Sequence, residues 1–464
     1  MNKQLSIVGL LTLFLVGTTA YSQKSKEKEI KLKEVVVIAT KFKLEKEKIG
    51  KVITKITQEE IQNNAGKTIF ELLNNVSGVE IKGINSNPGE IKGIYIRGGR
   101  SKQVLVLIDG IPVSDPTGVN QEYDLRLLSL NQIESIEILK GASSTLYGSG
   151  AATGVINIIL KKGNKKDVSA TYEVSLGTNN DANTKNLRLL DRNQNVSIHG
   201  SLKNFNYLAT FTISGVDGMS SAKSKTNKSF STDPFYNKSS LVKLGYRFSN
   251  QFELETFVNY DTFKYTYDAG AYSNSDINNG EDTQVRIGVK PSFKYNNGEA
   301  YLQASFNDVN RVLHTFNSYA NGVNKYDYTG KSINIDAVNR LTFSEGTYQL
   351  ITGINYQEHR NNTLSDFGNI DDKLANFNNI DPYASLVYNS TYGLNINIGG
   401  RLNNHSNYGN HFVYDTNVSY NFNVENVKIK ALTSYSTAFI APSTYQLFSQ
   451  YGNLNLNPEA SATF

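Results

Sequence analysis

From about Val168 onward the chain alternates residue by residue between apolar and polar side chains. Phe252, Leu254, Val258 and Tyr260 alternate with Glu253, Glu255, Asn259 and Asp261. Tyr348, Leu350, Thr352, Ile354 and Tyr356 alternate with Gln349, Asn355 and Gln357, and Leu394, Ile396, Ile398 and Leu402 with Asn395, Asn397 and Arg401. Phe412, Tyr414, Val418, Tyr420 and Phe422 repeat the pattern against Asp415, Asn417, Ser419, Asn421 and Asn423. A period of two is the signature of a strand with two unlike faces. The runs reach the ~9–11 residues a tilted strand needs to cross a bilayer, against ~5–6 for an ordinary soluble strand. Short turns at 249–250 and 296–298 alternate with long polar loops at 217–238 and 268–282. Short connections on one side and long ones on the other predict a mostly-β chain built as a transmembrane antiparallel β-barrel. One face would meet lipid and the other a polar interior.

Before residue 164 the pattern changes. Val104–Ile108 and residues 155–160 are short continuous apolar runs, with Ile133, Ile136, Ile138 and Leu139 between them. Gly98-Gly99, Asp109-Gly110 and the GSGAATG stretch at 148–154 bound them, which predicts a compact mixed α/β domain with tight turns. Thr57/Glu60 and Thr68/Glu71 match the capping box, so each opens a short helix. The second helix places Ile69, Leu72, Leu73 and Val76 on one face and stops at Ser77-Gly78. Residues 79–96 read as two short strands around an Asn/Pro/Gly turn. GSGAATG is followed by a strand, not a long helix, so its glycines serve close packing and not dinucleotide binding.

The first 22 residues read as a signal peptide: Lys3, an apolar core from Ile7 to Val16, and small residues at Ala20 and Ser22. Residues 23–33 are polar and rich in Lys and Glu. Four segments follow: signal peptide 1–22, leader 23–45, mixed domain 46–163 and partial barrel 164–464.

Composition sharpens this picture. Mean hydropathy is −0.39, yet strands that alternate faces average to neutral, so a barrel escapes a hydropathy test. Tyr (28) and Phe (22) are abundant, as in aromatic belts at membrane interfaces. With no cysteine there is neither a disulfide framework nor a thiolate metal site. The net charge of +5 is diffuse and forms no basic stripe for nucleic acid. The five histidines, at 199, 314, 359, 405 and 411, are scattered. His405 and His411 could meet around a turn, but two ligands do not make a metal site. No catalytic constellation stands out, so an enzyme is not expected.

Three stretches in one order, IRGG (96–99), VLIDGIPV (106–113) and IESIEILKGASSTLYGSGAATGVINI (133–158), resemble the plug domain of TonB-dependent outer-membrane receptors. The resemblance implies a barrel of about 22 strands filled by an N-terminal plug, of which roughly 14 strands are present here. STAFIAPSTYQLFSQYGNLNLNPE (436–459) resembles a late-middle barrel segment, with Leu454 in place of a usual proline. That makes the chain look C-terminally truncated. The apolar segment Glu34, Val35, Val36, Val37, Ile38, Ala39 and Thr40 falls where the family has its TonB box. TonB captures that box by adding a strand to it. An ordinary first strand is the alternative reading of the same residues. Arg97 and Arg100 are expected to anchor the plug through carboxylates on the inner wall.

Within the family the loop phrases are most similar to cobalamin (vitamin B12) receptors. Tyr267 and Asp268 in TYDAGAYS, with Asp217 and Asp233, fall where those receptors hold Ca²⁺ in extracellular loops; solvated loop acids are the alternative. The resemblance implies a multi-pass protein of a Gram-negative outer membrane. It would bind a scarce nutrient outside and import it with energy from TonB and its ExbB/ExbD complex. Cobalamin is the expected ligand and a ferric siderophore the alternative. A non-transporting surface barrel, adhesin or passive porin is the competing class.

Overall fold

The computed structural model describes residues 34–163, 166–178, 189–226, 230–319, 321–366, 368–425 and 427–464. The expected signal peptide and the first part of the leader lie outside the described residues. Everything below concerns one compact unit, Val35–Phe464.

The inner domain starts with a two-residue strand pair, β1 (Val35–Val36) against β2 (Leu44–Glu45). Then come β3 (Val52–Ile56), α1 (Gln58–Asn63), α2 (Ile69–Asn74), β4 (Val79–Lys82) and β5 (Gly93–Ile96). Both predicted capping boxes form: the Thr57 and Thr68 hydroxyls accept from the Glu60 and Glu71 amides, and each carboxylate reaches back to the cap. β6 (Val104–Ile108), β7 (Ile111–Val113), β8 (Ile133–Lys140), α3 (Ser144–Tyr147) and β9 (Gly154–Leu160) follow. The central sheet has the order β3-β8-β9-β6-β7, with β6 and β9 parallel and the remaining pairs antiparallel. β8 and β9 lie inside it with neighbours on both sides, and most of their residues are buried, which is why apolar side chains occupy both faces of each strand.

The rest of the chain is one antiparallel meander in sequence order. It begins with β10 (Ser169–Gly177), β11 (Asp191–Leu202), β12 (Phe205–Val216), β13 (Phe235–Arg247) and β14 (Phe252–Thr266). β15 (Asn279–Tyr295), β16 (Gly298–Asn317), β17 (Gly322–Phe343), β18 (Tyr348–Leu364) and β19 (Asn376–Asn389) continue it. β20 (Leu394–His405), β21 (Gly409–Val424), β22 (Val427–Ile440), the short helix α4 (Thr444–Phe448) and β23 (Glu459–Thr463) complete it. The sheet has 14 strands, matching the count read from the alternation; among the described residues β10 and β23 do not pair with each other. The long loops are shorter than expected, because β13 and β15 begin at Phe235 and Asn279.

Burial along this wall is inverted relative to a soluble protein. Val242, Val258, Ile287 and Phe306 are exposed, and register makes them neighbours across β13 to β16. One position over, Asn259, Arg286 and Asn307 are neighbours in the same way and are buried. The apolar face is the one suited to lipid, and the polar face closes on the inner domain. No helix among the described residues is long and apolar enough to cross a membrane.

The seam between wall and inner domain leaves little room. Gly148, at φ 81°, approaches Arg401 so closely that a Cβ would lie 2.7 Å from its guanidinium. Arg401 Nη2 donates to Asp381 at 2.6 Å and to Asn355 at 3.0 Å, while Nη1 reaches the Leu146 carbonyl at 3.3 Å. Both side chains of the Arg401–Asp381 pair are 1% exposed. Asp381→Ala would leave a buried guanidinium without its carboxylate, which costs about 3–5 kcal/mol. The expected result is a clear fall in the temperature at which the folded form is lost on unheated gels; an unchanged temperature would contradict the pairing.

Candidate functional site

The described leader is not a free tail. It folds back at Thr40-Lys41, where the Lys41 amide donates to the Val37 carbonyl at 2.9 Å and Lys41 itself has φ 62°. The segment is then driven as a wedge between the central sheet and the wall. Val36, Ile38, Phe42 and Leu44 join one apolar cluster with Leu107, Leu139 and Val155 of the sheet and with Tyr301, Val338, Ile351 and Tyr383 of the wall. The Phe42 ring lies 5.4 Å from that of Tyr301, and the Arg340 guanidinium sits 4.5 Å over Phe42.

Polar contacts lock the wedge. The Glu137 carboxylate on β8 accepts the Val37 amide at 3.1 Å and the Ile38 amide at 2.9 Å. The Tyr147 hydroxyl donates to the Ile38 carbonyl at 2.9 Å, and Lys55 Nζ to the Val35 carbonyl at 2.9 Å. Burial pushes the Glu137 carboxyl above its usual range, against the two amides and Lys55, which favour its anion. Lys41 Nζ reaches Asp336 on β17 at 2.6 Å and the Tyr383 hydroxyl on β19 at 2.9 Å. Residues 35–40 thus already have their main-chain groups partly engaged, and their apolar side chains face inward.

The structure corrects the expected anchors. Arg97 is exposed, has φ 53° and makes no ion pair among the described residues; it turns the chain out of β5 into the glycine pair. Arg100 does pair with the wall, through Glu459 on β23, a carboxylate it shares with Lys102. The stronger anchors are elsewhere. Lys51 pairs with Asp415 at 3.0 Å, Lys243 with Asp109 at 2.7 Å, and Arg311 with Asp115 at 2.9 Å and Asp282 at 2.6 Å. Burial would raise the Asp109 carboxyl, but Lys243 and Lys162 hold it below its usual range. One signal could have found these anchors: acids such as Asp282, Asp336 and Asp415 at inward positions of alternating strands, where an unpaired charge is costly.

At the long-loop end, the four residues expected to hold calcium are only partly assembled. Asp233 and Asp268 come together, each already accepting protein donors. Asp268 takes the Ser220 hydroxyl at 2.8 Å and the Ala222 amide at 2.7 Å. Asp233 takes the Ser221 amide at 3.0 Å and Asn87 Nδ2 at 3.1 Å. Burial and the neighbouring Asp268 raise the Asp233 carboxyl. The Tyr267 hydroxyl points instead to Thr315 at 2.6 Å, and Asp217 stands beside Asp191. Among the described residues no group of three or more His, Asp or Glu side chains is placed to hold a metal ion. His405 and His411 do not form a ligand pair: His405 Nδ1 accepts the Asn407 amide at 3.1 Å, and His411 Nε2 lies 3.0 Å from the Tyr408 carbonyl.

A small mixed domain inside a polar-lined wall, with an apolar leader docked beneath it, matches a known family. Residues 45–155 match the family model of the TonB-dependent receptor plug domain. Residues 45–155 thus belong to the TonB-dependent receptor plug domain family, and the rest of the chain resembles the barrel of such receptors. It is similar, at 24% identity over 99% of its length and 70% of the relative's, to the vitamin B12 transporter BtuB of Vibrio cholerae. Among solved structures it is similar in fold to the ferric enterobactin receptor PfeA of Pseudomonas aeruginosa, with a TM-score of 0.69 at 20% identity over 85% of this chain. The siderophore receptor PirA of Acinetobacter baumannii gives a TM-score of 0.71 at 19% identity over 88% of this chain. The chain spans 63% of the PfeA structure and 67% of the PirA structure. The inner domain is therefore the plug, and the 14-stranded sheet is barrel wall.

Glu137 is the plug residue that accepts the amides of residues 37 and 38. Glu137→Ala leaves their two amides buried without an acceptor, a cost of about 1–3 kcal/mol that loosens the leader. A spin label at position 37 should become markedly more mobile in that variant; an unchanged spectrum would show that the apolar wedge alone holds the segment.

Proposed function

We propose that this chain acts as an energised outer-membrane importer: a nutrient binds on the long-loop side, and TonB, driven by ExbB/ExbD, pulls on residues 34–40. The observation that carries this reading is the leader itself. It is a short β-branched segment, docked by a reversible set of hydrogen bonds at the junction of plug and wall. TonB would capture it by strand addition, with main-chain hydrogen bonds for affinity. A passive porin or an adhesin has no use for such a segment, nor for a plug tied by ion pairs to the wall.

For the solute, similarity to the BtuB transporters across 99% of this chain supports cobalamin. Likeness in fold to PfeA and PirA favours a ferric siderophore as the second reading. Both are bulky and scarce, as an energised route requires. The apolar outer face and the similarity to outer-membrane receptors support a working place in the outer membrane of a Gram-negative cell.

Deleting residues 34–40 separates binding from energisation. Cells displaying the deleted protein should bind solute at the surface and accumulate none of it. Accumulation at the parent rate in the deletion would sink the importer reading.

A further inference from the structure

Between the leader and β3, residues 46–51 run along the inner side of β21 and β22. Asn421 and Lys430 are cross-strand partners near the end where these two strands join, and Asn417 and Ser434 are partners farther from it. At the joined end, Lys430 Nζ donates to the Ile49 carbonyl at 2.6 Å and to the Lys46 carbonyl at 3.0 Å, and Asn421 Nδ2 donates to the Glu47 carbonyl at 2.9 Å. Lys46–Lys48 form one 3-10 turn, and a turn this short leaves carbonyls to be met from outside. Farther along, Gly50 lies so close to β21 that a Cβ would stand 2.9 Å from the Asn417 carbonyl carbon and the Val418 nitrogen. Lys51 then pairs with Asp415 at 3.0 Å, and it also donates to the Ala142 carbonyl at 2.5 Å and to Ser143 Oγ at 3.2 Å on the plug. Asp415 is braced by the wall: it accepts Asn417 Nδ2 at 2.8 Å, and Asn417 Oδ1 accepts the Ser434 hydroxyl at 2.6 Å.

The order of these contacts decides how they respond to tension. From residue 46 to residue 51 the chain climbs from the joined end of β21 toward its long-loop end. A pull from the short-turn side drags the segment along the strand and loads its contacts together, instead of peeling them one at a time. Two of the donors are ammonium groups, whose hydrogen bonds are stronger than neutral ones. The elements on either side are weaker. β1 and β2 share only two residue pairs. β3 is an edge strand of the central sheet, and its one ladder, to β8, spans Val52–Ile56. Without the wall contacts, tension on the leader would fall directly on that ladder.

We propose that residues 46–51, clamped by Asn421, Lys430 and Asp415, form a stop that confines a pull to residues 34–45 until the clamp gives. This rests on the importer reading and deepens it: the wall sets the boundary between what TonB draws out first and what stays folded. Asn421 and Lys430 are positioning residues, since they act on the main chain of residues 46–49 and not on the segment that TonB would capture.

The test pulls the protein in a lipid bilayer through a handle on Glu34→Cys, the chain having no other cysteine. The parent should lengthen in two events, first by about 40 Å as the chain to residue 45 comes free, then at higher force by about 40 Å more as residues 46–56 follow, at ~3.3–3.6 Å per residue. With Asn421→Ala and Lys430→Met combined, the two should merge into one event of about 80 Å. Gly50→Ala, whose Cβ pushes the segment off β21, should do the same without removing a donor. At rest, a spin label at position 37 should keep its parent mobility in both variants, because Glu137 and Tyr147 still hold the leader. Gel mobility of unheated samples checks that the variants fold. A single event in the parent, or two unchanged events in both variants, overturns the stop. So does a label loosened at rest, which would make the wall contacts a general support of the leader. A second arm reads the importer separately. In cells with a working TonB complex, a thiol introduced by Ala39→Cys should react with a maleimide several-fold faster than in the same cells treated with a protonophore. Two pulling events with equal thiol reactivity in both conditions would sink the importer reading, and the role of the stop in import with it.

Discussion

A strand that turns an apolar face to lipid must turn its polar face inward, and a buried polar group needs a partner. That constraint governs the whole molecule. The wall's inward Asp, Asn and Arg side chains therefore need partners, from water in an open lumen or from whatever fills it. Here the plug relieves many of them, with lysines aimed at Asp336 and Asp415 and backbone carbonyls aimed at Arg401. The pairing runs in both directions, since Lys243 on the wall meets Asp109 on the plug. Retention of the plug is therefore a consequence of satisfying the wall, and no single anchor carries it.

The same constraint explains why the leader is docked. Its amides at 37 and 38 end on Glu137, a carboxylate in the middle of the central sheet whose burial is costly unless donors reach it. Leader and Glu137 thus stabilise one another. A partner that adds a strand to residues 34–40 replaces these bonds with its own main-chain bonds, so the exchange of hydrogen bonds is near balance. What has to be supplied from outside is the exposure of Val36, Ile38 and Phe42. At roughly 25 cal/mol per Å² of apolar surface, withdrawing several such side chains costs several kcal/mol, which is a task for applied work and not for strand pairing alone.

Much of this fold was legible from sequence because it is local. Alternation over long runs marked the wall strands and even their number, Thr57/Glu60 and Thr68/Glu71 marked two helix starts, and the glycines at 148–154 marked a tight approach. Anchoring was not legible, because Lys41 and Asp336 lie 295 positions apart and nothing local couples them. Arg97 misled because an arginine beside two glycines suggests a reach toward a partner, whereas its backbone is the part in use, in a left-handed turn. The expected calcium ligands shared a loop neighbourhood, but neighbourhood does not set direction: the Tyr267 ring points to Thr315, and Asp217 faces Asp191. The leader was recognised by its β-branched residues. That it would be buried against Tyr301 and Tyr383 could not be read from them.

The distribution of charge along the wall adds a last step. On β16 to β19 the acids at inward positions occur in the row that meets Lys41 and Arg401, and the two rows above it hold carboxamides, hydroxyls and His359, while Asp282 on β15 pairs with Arg311. Carboxamides bind and release polar groups at low net cost, because each bond lost to the solute can be made to water. Carboxylates would hold cationic groups and repel anions. In this sector the ion pairs that hold the plug lie low, where the leader is wedged, and the polar groups above them are mostly uncharged side chains whose bonds are weaker and exchange with water.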